Sequence, residues 1–453
     1  HNRVLSLGCC KSARTQGRVL DEDIEQRDFV AMGTAAGVAA AFDAPIGGVL
    51  FALEEVASHW SPRLTWLAFF GALVATLTTK WLTSAWDGTD MLGDEGLFIV
   101  WGEGSSTRYA ISELPIFVLI GAGGGIAGAL FNYINGSLNR LRRQLYSGGG
   151  SGPLGRLVRR LGVRRAKLVE AAALALLCAT LFFFPPLFFG CSSLETAITG
   201  LDNISATPSP TPTADAASTA DTLVSPIASA MVDTALGNVS FPPPPPPISE
   251  GAVDAAVTAA DEIMVSLRCF GEGVGSEGRA VEYNQMASIT LSNQHHVIQA
   301  LFARQAAGVL FTPGTLLLSL VLIFCTSVVV YGAPLPSGLF VPCMTIGALF
   351  GRLIGELHAE RDPVSSADAG FYALVGAAAM LTGVTRMTIS LTVILCEISN
   401  DASSLLPLMA SVFAARVVGD LFNPSLFDAA IGLAGYPYLA RTSERRFDAL
   451  CAE

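Results

Sequence analysis

Residues 333–342 read Ala333-Pro334-Leu335-Pro336-Ser337-Gly338-Leu339-Phe340-Val341-Pro342, in the middle of an uncharged run. From Gln305 to Gly351 there are 47 residues without Asp, Glu, Lys or Arg. A bilayer core accommodates about 20 apolar residues per helix. One straight helix cannot use the whole run, and Pro313, Pro334 and Pro336 interrupt it. The spacing predicts a helix over 313–331, a bend at 333–338, and a second helix to about Glu356. A helix that begins inside an apolar layer exposes unpaired backbone N–H groups and the positive end of its dipole. Those donors need a partner there, and a small anion fits them. Ser337 and Gly338 open the turn, and Gly338 lets an ion approach the backbone. Leu339 and Phe340 offer amides, and Pro342 is tolerated in a first helical turn. No Arg or Lys is expected beside the site, and partial charges hold an ion loosely enough to release it. The competing reading is a plain Pro/Gly kink at a helix junction.

The rest of the chain has the same character. Of 453 residues, 14% are charged, against about 25% in soluble domains, and mean hydropathy is +0.51. This points to an all-α polytopic membrane protein. A net charge of −11 argues against nucleic-acid binding, and the nine Cys show no metal-ligand spacing. Further apolar segments run over 29–57 (broken at Asp43-Ala44-Pro45), 64–79, 114–139, 168–190, 369–385, 387–398 and 405–421. Several are short or Gly/Pro-interrupted, a pattern of transporters with broken helices; tilted or kinked ordinary helices are the alternative. The 114–139 segment is rich in small residues that allow close helix packing.

Two polar regions set the orientation. Residues 140–165 carry eight Arg and no acid, which places them on the cytosolic side. Residues 191–282 carry twelve Asp and Glu against two Arg, with six consecutive prolines at 242–247. They read as a flexible acidic loop on the opposite, luminal or extracellular, side. Asn203 and Asn238 begin sequons there. Cys191 and Cys269 flank the loop as a disulfide pair or as two unlinked thiols. The chain thus divides into a polar segment 1–28, a first membrane half 29–190, the insertion 191–282, a second membrane half 283–440 and a cytosolic tail 441–453.

Residues 33–46 lie on 376–389 without a gap at an offset of 343, and the same offset puts Glu54 on Glu397. Both copies read as a small-residue helix, a break, and an apolar helix ending in Glu. Such duplications commonly flank a binding site near the bilayer midplane. Acids at that depth are costly and often mark proton routes, so Glu54 and Glu55 are either a proton path or a boundary pair. For Glu397 a helix-packing role is the better reading. An intramembrane serine hydrolase built on Ser337 needs a buried His as base. No His lies within an apolar run, so no enzyme and no cofactor is expected.

Three stretches, Gly33–Glu55, Gly338–Pro342 (a GxFxP pattern) and Phe422–Asp428 followed by Gly435–Leu439, resemble the CLC family of voltage-gated chloride channels and anion/proton exchangers, most nearly its plant and algal intracellular members. The resemblance implies two inverted-topology halves whose broken helices meet at the anion, and a homodimer with one pore per subunit. It also implies chloride or nitrate as the transported ion, coordinated by the Leu339 and Phe340 amides. Glu55 matches the internal glutamate that passes protons in exchangers. A passive chloride channel, or a truncated chain that does not transport, is the alternative. The implied location is an intracellular membrane, vacuolar or other. The family's GxEGP loop, with its gating glutamate, and the preceding GSGIP or GPGIP loop have no counterpart here. The offset places the GxEGP loop just before His1, so the first helices are expected to precede this sequence. Phe427 stands where the family has a pore tyrosine, which removes a hydroxyl donor worth about 1 kcal/mol. Nothing in the sequence corresponds to the paired cytosolic CBS modules of eukaryotic members.

Overall fold

The computed structural model describes residues 23–57, 60–87, 109, 111–147, 153–190, 192–193, 282–303, 311–359, 361 and 368–435. The readings of the N-terminal segment up to 22, of most of the acidic insertion with Cys191, Asn203, Asn238 and Cys269, and of the tail beyond 435 lie outside the described residues.

The first broken pair is α1 (Asp23–Phe42) and α2 (Pro45–Phe51), and α2 ends in a π-turn over Ala52–Val56. The long helices α3 (Pro62–Asp87) and α4 (Leu114–Tyr146) follow, then α5 (Pro153–Leu161) and α6 (Val163–Phe183). The two-residue strands β1 (Ser192–Ser193) and β2 (Glu282–Tyr283) pair antiparallel and close the base of the insertion. The second half contains α7 (Gln285–Thr290), α8 (Gln294–Phe302), α9 (Pro313–Val330) and α10 (Phe340–Ala359). It ends with α11 (Ala369–Thr385), α12 (Ile389–Ser399), α13 (Leu405–Asp420) and α14 (Leu426–Ala434).

Among the described residues, six helical segments are long and apolar enough to cross a membrane. The helix–bend–helix expected from the uncharged run is present, as α9, a bend and α10. α4 runs past its apolar stretch into the arginines at 140–143, because straight-chain residues there propagate a helix well. At the centre lies α11, of which every residue is buried, as expected of a helix apolar on all sides. α10 and α4 pack on it, and α13 packs on α4. Glycines set these distances. A Cβ on Gly347 of α10 would sit 2.7 Å from the Ala377 Cα of α11, and one on Gly376 would sit 2.7 Å from the Gly351 Cα. Small-residue contacts of this kind replace the hydrophobic drive that lipid does not supply.

The duplication seen in the sequence has a geometric counterpart. α1 ends at Asp43 with φ of 51°, and α11 ends at Arg386 with φ of 67°; the two positions differ by the repeat offset. Both sit in the left-handed region, where a non-glycine residue is uncommon. Each is anchored by an opposite charge on a neighbouring long helix. Asp43 pairs with Lys80 of α3 at 2.9 Å, and Arg386 with Asp420 of α13 at 3.2 Å.

Candidate functional site: the bend before α10 and the crossed helix breaks

α9 ends at Val330 within an uncharged run, and its last carbonyls need donors from outside the helix. α4 supplies them from one stripe, Asn132, Asn135, Asn139 and Arg142, spaced for a single helix face. Asn135 Nδ2 donates to the carbonyls of Val328 (2.9 Å) and Tyr331 (2.7 Å). Arg142 donates to the Val329 carbonyl at 2.5 Å and pairs with Glu170 of α6 at 2.7 Å. Asn132 Nδ2 serves the end of α11 in the same way, at the Val384 carbonyl (2.9 Å). The bend then starts at Gly332, with φ of 82°. A Cβ there would lie 2.7 Å from the Asn139 Cγ, so only glycine fits between the chain and the asparagine stripe.

The bend leads to the candidate anion donors. Ser337 and Gly338 are exposed and Leu339 is buried. Cys343 N–H donates to the Leu339 carbonyl at 3.1 Å, which closes the first turn of α10. Among the described residues, no acceptor pairs with the amides of Leu339 or Phe340. Ser337, Gly338, Leu339 and Pro342 line a cavity of about 400 Å³ that is also bordered by Thr290, Thr326 and Thr345. The Phe340 side chain points elsewhere. Its ring packs against Phe42 at 5.6 Å and Phe51 at 5.8 Å between centroids, joining the start of α10 to the first broken pair. Phe427, in the first turn of α14, is half-buried against the apolar core. Ser425 caps α14 by accepting from the Asp428 N–H at 3.0 Å.

Glu55 is half-buried in the π-turn, one turn beyond Phe51. π-turns widen the helix locally and are frequent at functional positions. Its neighbour Glu54 is held by the second half of the chain. The Glu54 carboxylate accepts four hydrogen bonds at the start of α12. The donors are Thr388 N (2.7 Å), Thr388 Oγ1 (2.8 Å), Ser390 N (3.0 Å) and Ser390 Oγ (2.6 Å). Glu397, at the end of α12, accepts from Ile46 N (3.1 Å) and Gly47 N (2.8 Å) at the start of α2. The two second segments therefore run antiparallel, and each caps the other. The packing role read for Glu397 takes this form. The sequence signal was the shared offset; that the two glutamates exchange partners was not visible in it.

The sequence reading left buried cations out of the site, and the structure adds two to the interior. Arg352, fully buried, donates to the Ala300 and Leu301 carbonyls at 3.0 and 2.7 Å and lies 3.4 Å from Glu356. Arg386 donates to the carbonyls of Gly383, Gly419 and Asn423 besides its pair with Asp420. Both are engaged by helix C-terminal carbonyls and acids, as buried charges must be.

Comparisons with known proteins agree with this architecture. A model of the voltage gated chloride channel family matches residues 4–420. "Chloride channel protein A" of Dictyostelium discoideum is 33% identical over 417 residues, covering 92% of this chain and 42% of that protein. "H(+)/Cl(-) exchange transporter 7" of Homo sapiens is 31% identical over 424 residues, covering 92% and 41%. "Chloride channel protein CLC-c" of Arabidopsis thaliana is 29% identical over 429 residues, covering 94% and 45%. A crystal structure of a eukaryotic CLC transporter aligns with a TM-score of 0.50 at 22% identity, over 92% of this chain and 48% of that one. The chain therefore belongs to the voltage-gated chloride channel (CLC) family and has its all-α membrane fold with inverted repeats. It spans under half the length of these curated relatives.

Proposed function

We propose that this chain forms part of a CLC-type pathway that moves chloride or nitrate across an intracellular membrane in exchange for protons, as a homodimer. The observation that carries this reading is the pair of unpartnered amides at Leu339 and Phe340. They open α10 at a bend held from behind by the asparagine stripe, beside a cavity of about 400 Å³. Backbone donors there bind a monovalent anion without a fixed cation, so release stays fast. Glu55 supplies the proton half. It is an acid on the π-turn that follows Phe51, the residue whose ring touches Phe340. Relatives named as chloride channels and as H(+)/Cl(-) exchange transporters support the ion class.

The test is flux from the purified chain in liposomes. Anion movement should carry protons the other way, so the reversal potential should shift with a pH gradient. Glu55→Ala should abolish that shift while anion flux continues. A reversal potential indifferent to pH in the parent chain identifies a passive chloride channel. No flux at all makes this chain a non-transporting portion of a longer protein.

A further inference from the structure

A second cavity, of about 900 Å³, lies on the other side of the bend, with Tyr331 bordering both. Its wall includes Arg140, Arg142, Arg143 and Lys167, and no Asp or Glu lines it. Arg142 is neutralised by Glu170. Arg140 folds back on its own helix, reaching the Gly136 carbonyl and Ser137 Oγ at 3.3 Å each, with no acid. Lys167 lies 5.4 Å over the Tyr146 ring. Among the described residues, three cations thus face one space without a carboxylate paired to them. The volume corresponds to about thirty waters at the liquid density of roughly 30 Å³ each, far more than one halide needs. Several positive charges around a roomy site match an anion carrying more than one negative charge on a bulky body. Arg in particular takes phosphate oxygens as a fork. The rim also has a defined depth. Along α6, exposed Arg164, Arg165 and Lys167 give way at once to exposed Leu168 and Val169, which is where water meets lipid. Basic pockets between membrane helices at that level suit phosphorylated lipid headgroups.

We infer that this basic cavity between α4, α6 and α14 binds a phosphate-monoester anion, presented at the membrane surface as a lipid headgroup. The site abuts Gly332 and Pro334 of the bend and Leu426 of α14, so an occupant touches two segments of the proposed anion path.

The test uses the whole chain in detergent, titrated with dioctanoyl phosphatidylinositol 4-phosphate, dioctanoyl phosphatidylinositol, and free inositol 1,4-bisphosphate. The phosphorylated lipid should bind saturably and raise the melting temperature, and the unphosphorylated lipid should not. The double variant Arg143→Ser with Lys167→Gln removes two exposed cations that make no structural hydrogen bond. It should keep the unliganded melting temperature and weaken binding about thirtyfold, taking about 1 kcal/mol for each charge. Equal binding by the variant and the parent, or no saturable binding of the phosphorylated lipid, overturns the site. Binding of the free headgroup as tight as that of the lipid keeps the phosphate chemistry and overturns the lipid source. Because the readout is binding, it is independent of whether the chain transports.

Discussion

The residues closest to the proposed ion act through backbone, not side chain. Leu339 and Phe340 contribute amides, and the Phe340 ring serves packing between Phe42 and Phe51. The family resemblance aligns Phe427 with a pore tyrosine, and its ring, half-buried against the apolar core, offers the proposed anion no hydroxyl. Phe427→Tyr should therefore tighten anion binding about fivefold, the equivalent of one added hydrogen bond of about 1 kcal/mol. Isothermal titration of chloride into the parent and variant checks this. Unchanged affinity would place position 427 outside the anion's reach. These residues were legible in the sequence because GxFxP and the break before it are local: proline, glycine and lack of charge fix the bend within a few residues. Arg352 and Arg386 were not, because their partners are carbonyls far along the chain at Ala300, Leu301, Gly419 and Asn423.

At the scale of elements, the crossed caps decide how the halves meet. α2 is seven residues long, too short to hold itself as an isolated helix, and α12 has eleven. Each is stabilised at its start by a carboxylate from the other. Glu54→Ala leaves two backbone N–H groups and two hydroxyls without their acceptor, whereas Glu397→Ala leaves two N–H groups. Both should destabilise, by about 1–3 kcal/mol, with Glu54→Ala the larger. Thermal melts in detergent measure the order, and equal loss or none would remove the capping role. Glu54→Ala should also reduce proton coupling indirectly, by loosening the π-turn that holds Glu55. The stripe Asn132, Asn135, Asn139 and Arg142 is a second such device. Its spacing was in the sequence, but its purpose depended on α9 and α11 ending against it.

Taken whole, the described chain is a buried centre of α4, α10 and α11 with strongly apolar helices outside. α3 exposes Trp66, Phe70, Leu77 and Trp81, and α13 exposes Leu406, Met409 and Phe413. Apolar faces of this kind belong against lipid or other apolar helices, since a membrane protein meets water only at its ends. In the proposed homodimer, part of this surface would face a second copy. Single-molecule photobleaching of the labelled chain in bilayers should show two steps, and uniform single steps would leave the faces to lipid alone.

Local chemistry along the chain was enough for the membrane class, the positions of the breaks at 43–45 and 333–338, the duplication and the glycine-lined donors before α10. Those follow from apolar run length, proline and glycine, which act over neighbouring residues. It took the folded chain to show that Glu54 and Glu397 exchange caps, that the ends of α9 and α11 hang on asparagines of α4, and that basic residues between 140 and 167 border one space. Those facts depend on groups brought together across gaps of up to 351 residues, and no local preference of the chain encodes which distant carbonyl or amide will arrive.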